Sequence, residues 1–501
     1  MSRIKYSNLP FWLFTLATVF ALTLPILVQD GMFQDGVLYS AVAHNLSLGY
    51  GSFWFPQYSA LNIEGLPSFH EQPPLAFGIE SLFFKILGDS LYVERFYTLL
   101  TMLLTVWILV KIWRLATIDA PANWQHLTWL PVLFWIIVPV CFWSYRNNMH
   151  ENTLTIFALL AFLSFYSGWI PIQKSSRFLS LNPYVAAVIS GFFIFGATLV
   201  KGFPGFFILA VPGCYWLFTK RISFKKMALQ TIVALAVPLA IYTVLFLWPV
   251  SKKSLSYYLF DRALLRMGAV PTADYHLEIW VQLLQQLVLP FTLLVLIFLL
   301  AWRAKWRFTQ PTPLVWRQSL FFMAVGAAGT LPLALTLVQK WFYMVPAFPF
   351  WAVGMALVAA SPTSDFVNWL KTKKRAFAFV LTFNALLLAG VLIYSAAQIG
   401  KTYREHATLN DVYKIGKLVP SFTNIAVPSC QYNQYNFILQ GFLVRFFNIS
   451  VVPENHKLAT TTPFWLSQCD ALCQHIPPDG YEVILEDGQK YALYKRVENQ
   501  P

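Results

Sequence analysis

Charged or ionisable residues that are far apart in the chain stand where apolar runs end. They are Asp35; the run His70-Glu71-Gln72-Pro73-Pro74; Arg146, followed five residues on by Glu151; Lys201; His276; and Lys340. They supply two kinds of group. Asp35 and Glu151 are carboxylates, and a carboxylate takes a proton from a hydroxyl or an amine. Arg146, Lys201, Lys340 and Arg262 or Arg266 are cations, and cations hold a phosphate. A base beside a phosphate site is what moving a phosphate-linked group onto a nucleophile requires. Each residue also has a purely structural reading. Lys201 and Lys340 would be anchors whose amines reach the membrane surface. Arg146 and Glu151 would be a local ion pair, and His276 an ordinary interfacial histidine. Asp35 would be a solvated loop acid or a helix cap, and Glu71 a loop charge ahead of a helix started by proline. These separate readings leave the residues' joint position unexplained.

The elements that must position them belong to a membrane protein. Of 501 residues, 57% are hydrophobic and 12% are charged, and the mean hydropathy is +0.56. That balance excludes an ordinary soluble domain. A helical crossing needs roughly 20 apolar residues. We read about eleven crossings, over 10–29, 91–113, 127–145, 152–171, 183–200, 203–219, 227–249, 286–302, 318–338, 341–360 and 376–397. The first is long, lacks a small-residue cleavage site, and reads as a retained span rather than a signal. Alternate loops are basic, among them those with Lys111 and Arg114, with Lys220, Arg221, Lys225 and Lys226, and with Lys371, Lys373, Lys374 and Arg375. Basic loops face the cytoplasm. The N-terminus is then cytoplasmic, and 30–90, 251–285 and the tail are external. The net charge of +14 reads as a topology signal, not as nucleic-acid binding.

The division is a transmembrane part, 1–397, and an external (periplasmic) C-terminal domain, 398–501. In the first external loop, 35–48 and 75–88 read as amphipathic helices roofing a cavity. The second is about 14 residues long, too short to span, and belongs at the interface. In the tail, NIAVPS, GYEVILED and QKYALYKRV read as strands of a small α/β or α+β fold. Cys430, Cys469 and Cys473 allow one external disulfide. The outer-face residues fit a sugar carried on a polyprenyl phosphate, whose tail lies between helices while its phosphate meets cations. No glycine-rich phosphate loop follows a strand. The alternative is a transporter or flippase of lipid-linked sugars; such proteins show paired repeats and midplane charges, whereas this chain shows no repeat and its charges gather at one face. A non-catalytic sugar-lipid binding protein is a further alternative.

Up to about residue 360 the sequence resembles the GT-C superfamily of integral-membrane glycosyltransferases, in the branch of the protein O-mannosyltransferases and lipid A aminoarabinose transferases. The resemblance rests on five elements in order. An Asp-Glu pair and a following tyrosine appear as Asp35-Gly36 and Tyr39, with the second acid lost. A Pro-Pro element appears as His70-Glu71-Gln72-Pro73-Pro74. Arg with Asp five positions on appears as Arg146 with Glu151. Lys-Gly-Pro appears as Lys201-Gly202-Phe203-Pro204, with one residue inserted. Lys-X-X-Tyr-X-X-Pro appears as Lys340-Trp341-Phe342-Tyr343-Met344-Val345-Pro346. The resemblance implies inverting transfer of one sugar, hexosyl or pentosyl, at the outer face of the plasma (inner) membrane. Asp35 would be the base and Glu151 a second acid, with Arg146, Lys201 and Lys340 on the donor phosphate. Tyr39, His70 and Tyr343 would line the substrate cavity. The donor would be an undecaprenyl-phosphate sugar, and the acceptor a lipid, glycan or protein. No cofactor is required, though Glu71 and His276 match positions that can share a divalent metal such as zinc.

Overall fold

The computed structural model describes residues 8–60, 68–170, 181–265, 271–305, 313–434, 437–468 and 477–497. Arg266, Cys469 and Cys473 lie outside the described residues. Cys430 is disulfide-bonded.

The chain is a multi-pass membrane protein. Among the described residues, eight helices are long and apolar enough to cross a membrane, or nine if one bent pair counts as a span. They are Leu9–Leu27, Val93–Ala116, Pro183–Lys201, Phe224–Leu247, Glu278–Arg303, Pro313–Leu335, Trp341–Thr372 and Lys374–Ala396. The other three expected crossings are helical too, and each departs from a plain span for a local reason. Trp129–Ile136 and Pro139–Arg146 meet at 81°. Val138 is extended there (ψ 120°) because Pro139 follows it, and the Val140 N–H turns to Gln286 Oε1 at 2.7 Å. His150–Ser167 opens on buried His150, Glu151 and Asn152. Phe203–Thr219 is short, and its first half is a tight 3-10 helix.

The loop after the first crossing contains both expected helices, Gln34–Ser47 and Leu75–Leu87. The first of them is not amphipathic in its setting. Gly36, Val37 and every residue from Tyr39 to Asn45 are buried, because the helix is sandwiched between Leu75–Leu87 and the tail helix Phe437–Phe447. It is a buried wall and not an amphipathic helix with one open face. Its start is held by the turn at Asn147-Asn148. The Asn147 side chain accepts from Phe33 N–H at 2.8 Å, and the Asn147 carbonyl lies so close to Gly36 that a Cβ there would stand 1.9 Å from it.

A two-strand hairpin follows this helix, β1 (Gly51–Ser52) and β2 (Phe55–Pro56). The C-terminal domain holds a five-strand sheet in the order β4-β3-β5-β7-β6. Its strands are β3 (Asn424–Val427), β4 (Ser450–Pro453), β5 (Phe464–Gln468), β6 (Tyr481–Leu485) and β7 (Tyr491–Arg496). β3 pairs parallel to β4 and β5, and β7 antiparallel to β5 and β6. The three strands read from the sequence are β3, β6 and β7. The helices His406–Leu418 and Phe437–Phe447 complete the core through Leu409, Val412, Leu439 and Phe442, and that core also takes in Met32 and Val37 of the first loop.

Because nothing larger than hydrogen fits at position 36, Gly36→Ala forces the Asn147 turn away. We expect a loss of about 1–3 kcal/mol, typical of overpacking, read by thermal unfolding of the detergent-purified protein.

Candidate active site

Asp35 lies in the first turn of Gln34–Ser47, where the peptide dipoles favour a negative charge. It is half-buried and lines a polar chamber of about 460 Å³ together with Tyr39, Glu71, Lys201, Lys340 and Tyr343. A second cavity of about 470 Å³ is an apolar groove between helices, walled by Phe203, Phe206, Phe207 and Leu333, with Arg262 on its rim. Chamber and groove share Glu71, Gln72, Lys201 and Tyr343. A proton acceptor, a cation and a channel for hydrocarbon thus adjoin one another.

Lys201 ends the Pro183–Lys201 helix. Its ammonium pairs with the buried Glu151 carboxylate and sits 5.1 Å from the Tyr343 ring centroid and 5.7 Å from that of Phe342. The carboxylate and the two rings hold the ammonium in place. Tyr39 stacks on His150 at 3.9 Å. Burial holds the Tyr39 phenol well above its ordinary value, and the nearby carboxylates of Asp35, Glu151 and Glu71 add to the effect, as does Tyr343. Tyr39 is therefore a neutral hydrogen-bond donor and cannot be the base. Glu71 pairs with Arg262 at 3.2 Å and accepts from the Tyr58 hydroxyl at 3.2 Å.

Other expected site residues fall elsewhere. Arg146 lines neither cavity: its Nε donates to the Leu22 carbonyl at 2.5 Å, and its guanidinium lies over Phe142. His70 also lines neither. It bonds to Ser68 at 2.6 Å and stacks on Tyr257, and burial with Arg262 and Lys253 nearby lowers it to about 4, so it is neutral. Lys340 lines the chamber but not the groove. Glu71 and His276 have separate partners. His276 is exposed, with its Nδ1 2.8 Å from the Ala334 carbonyl, whereas Glu71 is held by a cation. Among the described residues no group of three or more His, Cys, Asp or Glu side chains is placed to hold a metal.

Sequence reasoning missed Gln72 in the shared wall and the Asn147-Asn148 turn. Asn148 takes a left-handed φ of 50°. Its side-chain amide donates to Ser40 at 3.1 Å and to Glu80 Oε1 at 2.7 Å, tying the Asp35 helix to Leu75–Leu87. Paired asparagines between two helices, a favoured left-handed turn sequence, were the available signal. Glu80 is fully buried, and burial, then Glu94, raise it to about 8 against the pull of Asn148 and Arg445.

No protein-family profile and no curated protein matches the sequence. Solved structures do. ArnT from Cupriavidus metallidurans bound to undecaprenyl phosphate superposes with a TM-score of 0.64 at 15% identity, covering 98% of each chain. This is the GT-C fold. The apo form of the same ArnT gives 0.63 at 14% identity over 99% of each chain. The apo oligosaccharyltransferase of Archaeoglobus fulgidus gives 0.51 at 13% identity, over 91% of this chain and 69% of that one. The GT-C architecture accounts for the multi-pass bundle, the helical first loop and the small terminal sheet domain.

Two outcomes follow from the buried charges. Lys201→Met leaves Glu151 buried and unpaired and costs about 3–5 kcal/mol, much of it regained in Lys201→Met/Glu151→Gln; denaturant unfolding of both variants checks this. Between its ordinary 4.5 and about 8, Glu80 is protonated in the folded protein and ionised in the unfolded chain. Stability therefore falls as pH rises through that window. Glu80→Gln, which cannot ionise, flattens the decline, as measured by melting temperature against pH.

Proposed function

We propose that the chain is a polyprenyl-phosphate-sugar-dependent glycosyltransferase that works at the outer face of the plasma (inner) membrane, with its N-terminus cytoplasmic and its C-terminal domain periplasmic. The observation that carries this proposal is the shared wall. A polar chamber holding Asp35 meets an apolar groove at Lys201, and that arrangement suits a substrate with a hydrocarbon tail, a phosphate and a sugar. ArnT, with undecaprenyl phosphate bound, has the same fold, which supports a lipid-phosphate donor here.

In this reading the donor tail lies along Phe203, Phe206 and Phe207. Its phosphate rests by Lys201 and Arg262, and its sugar reaches into the chamber. An acceptor hydroxyl or amine attacks the anomeric carbon from the side opposite the phosphate. The new bond to carbon forms as the carbon–oxygen bond to phosphate breaks, inverting the centre. The proton goes to Asp35, and the polyprenyl phosphate leaves with the bonding pair. Lys201 stabilises the charge growing on that leaving oxygen. Lys340, on the chamber side, is available to the sugar or the acceptor, and Tyr39 and Tyr343 orient the head group. The acceptor is a lipid, glycan or protein of the envelope.

Asp35→Asn keeps the size of the side chain but removes the base. We expect loss of transfer by about 10²-fold or more in a folded, inserted protein. Envelope mass spectrometry of cells carrying native chain, deletion or Asp35→Asn at matched expression checks it. One species losing a single sugar mass in both altered strains supports the proposal. A change in the deletion alone removes Asp35 from the mechanism and favours transport.

A further inference from the structure

We propose that the C-terminal domain is a working part of the catalytic centre rather than a cover, and that Arg445 is the positioning residue through which it holds the Asp35 helix. The proposal rests on the transferase reading above.

Arg445 lies on Phe437–Phe447, the tail helix that packs against Gln34–Ser47. It is 1% exposed, although arginine is almost never buried without a partner. The guanidinium enters the corner between Leu75–Leu87 and Val93–Ala116. It bonds to the Glu94 carboxylate at 2.7 Å, the Ser90 carbonyl at 2.8 Å and the Asp89 carbonyl at 3.0 Å. The Phe84 ring packs 4.6 Å from the guanidinium carbon. A planar fork held on two edges and one face fixes direction as well as distance.

One turn earlier on the same helix, Gly441 rests on the Asp35 helix. A Cβ there would meet Val37 Cγ1 at 3.0 Å, two residues from the base. The tail helix thus has two footholds: Gly441 presses on the start of the Asp35 helix, and Arg445 locks into the membrane part. One turn further along the Asp35 helix Asn148 bonds to Ser40, and also to Glu80. The base therefore stands on a helix held at two points, and one of them comes from the far end of the chain. A domain that only recognised the acceptor would need no buried charge driven into the membrane part.

The test uses the full-length protein in nanodiscs with Arg445→Lys, Arg445→Met and Arg445→Met/Glu94→Gln. Lysine keeps the charge opposite Glu94 but loses the fork. The double variant removes the orphan carboxylate, so that folding survives. Hydrogen exchange is read over 34–47 and over β3 and β5. Binding of undecaprenyl phosphate alone is measured in the nanodiscs, and transfer is followed by the envelope assay in cells carrying the same variants. We expect exchange over 34–47 to rise about tenfold or more while β3 and β5 keep native protection. Binding of undecaprenyl phosphate should stay within about twofold, and transfer should fall about tenfold to a hundredfold, as for a misplaced catalytic group. Unchanged exchange over 34–47 in the folded double variant overturns the proposal. So does native-level transfer by the double variant in the envelope assay. If the native chain shows no transfer, the transferase reading fails, and the exchange result still decides whether Arg445 holds the helix.

Discussion

A charge buried beneath a membrane face needs a partner at hand, and the Lys201–Glu151 pair meets that constraint at the centre of the protein. Lys201 sits at the end of one helix and Glu151 at the start of another, so the pair fixes those two ends against each other. The chain beyond Lys201 must then turn away at once. Gly202 does so at a φ of 70°, and the Tyr258 hydroxyl occupies the space that a side chain at 202 would need. That turn starts the groove wall of Phe203, Phe206 and Phe207, and Lys201 itself is part of the chamber. Both cavities are built outward from one neutralised cation. In the proposed function, this lets a phosphate approach an ammonium already in place and desolvated.

Much of the architecture was legible in the sequence because bilayer length is a strong constraint. Eight of the expected crossings are helices that meet it. Asp35, Glu71, Lys201 and Lys340 were also legible as a group, since each stands where an apolar run ends, and Tyr39 and Tyr343 entered through the resemblance; all six line one chamber. What failed was direction. Arg146 ends a helix as expected, but its side chain turns back to the Leu22 carbonyl. His276 stands before a helix as expected, yet Ala334 takes its ring nitrogen. Periodicity along one segment cannot report which neighbour that segment meets.

The Gln34–Ser47 helix shows the same limit. Its apolar positions were read as one face of an amphipathic helix, but it is packed by both Leu75–Leu87 and Phe437–Phe447. The second of these lies some 400 residues away in the chain, beyond any local pattern. The strands β4 and β5 were missed because they are short buried runs of four and five residues without alternation. The domain boundary at 398 separates the chain but not the packing, for Met32 and Val37 belong to the core of the tail.

Gly36 bears on how such a site can change. The resemblance pairs Asp35 with a second acid at the next position, and here that position is glycine. The Asn147 carbonyl fills the space in which any side chain would begin. The second acid is therefore excluded and not simply absent. An acid cannot return at 36 until the turn at 147 retreats, and the turn cannot retreat without releasing the Phe33 amide that starts the helix. The single-acid arrangement and the tight turn are therefore one feature: a side chain at 36 and the Phe33 cap compete for the same turn.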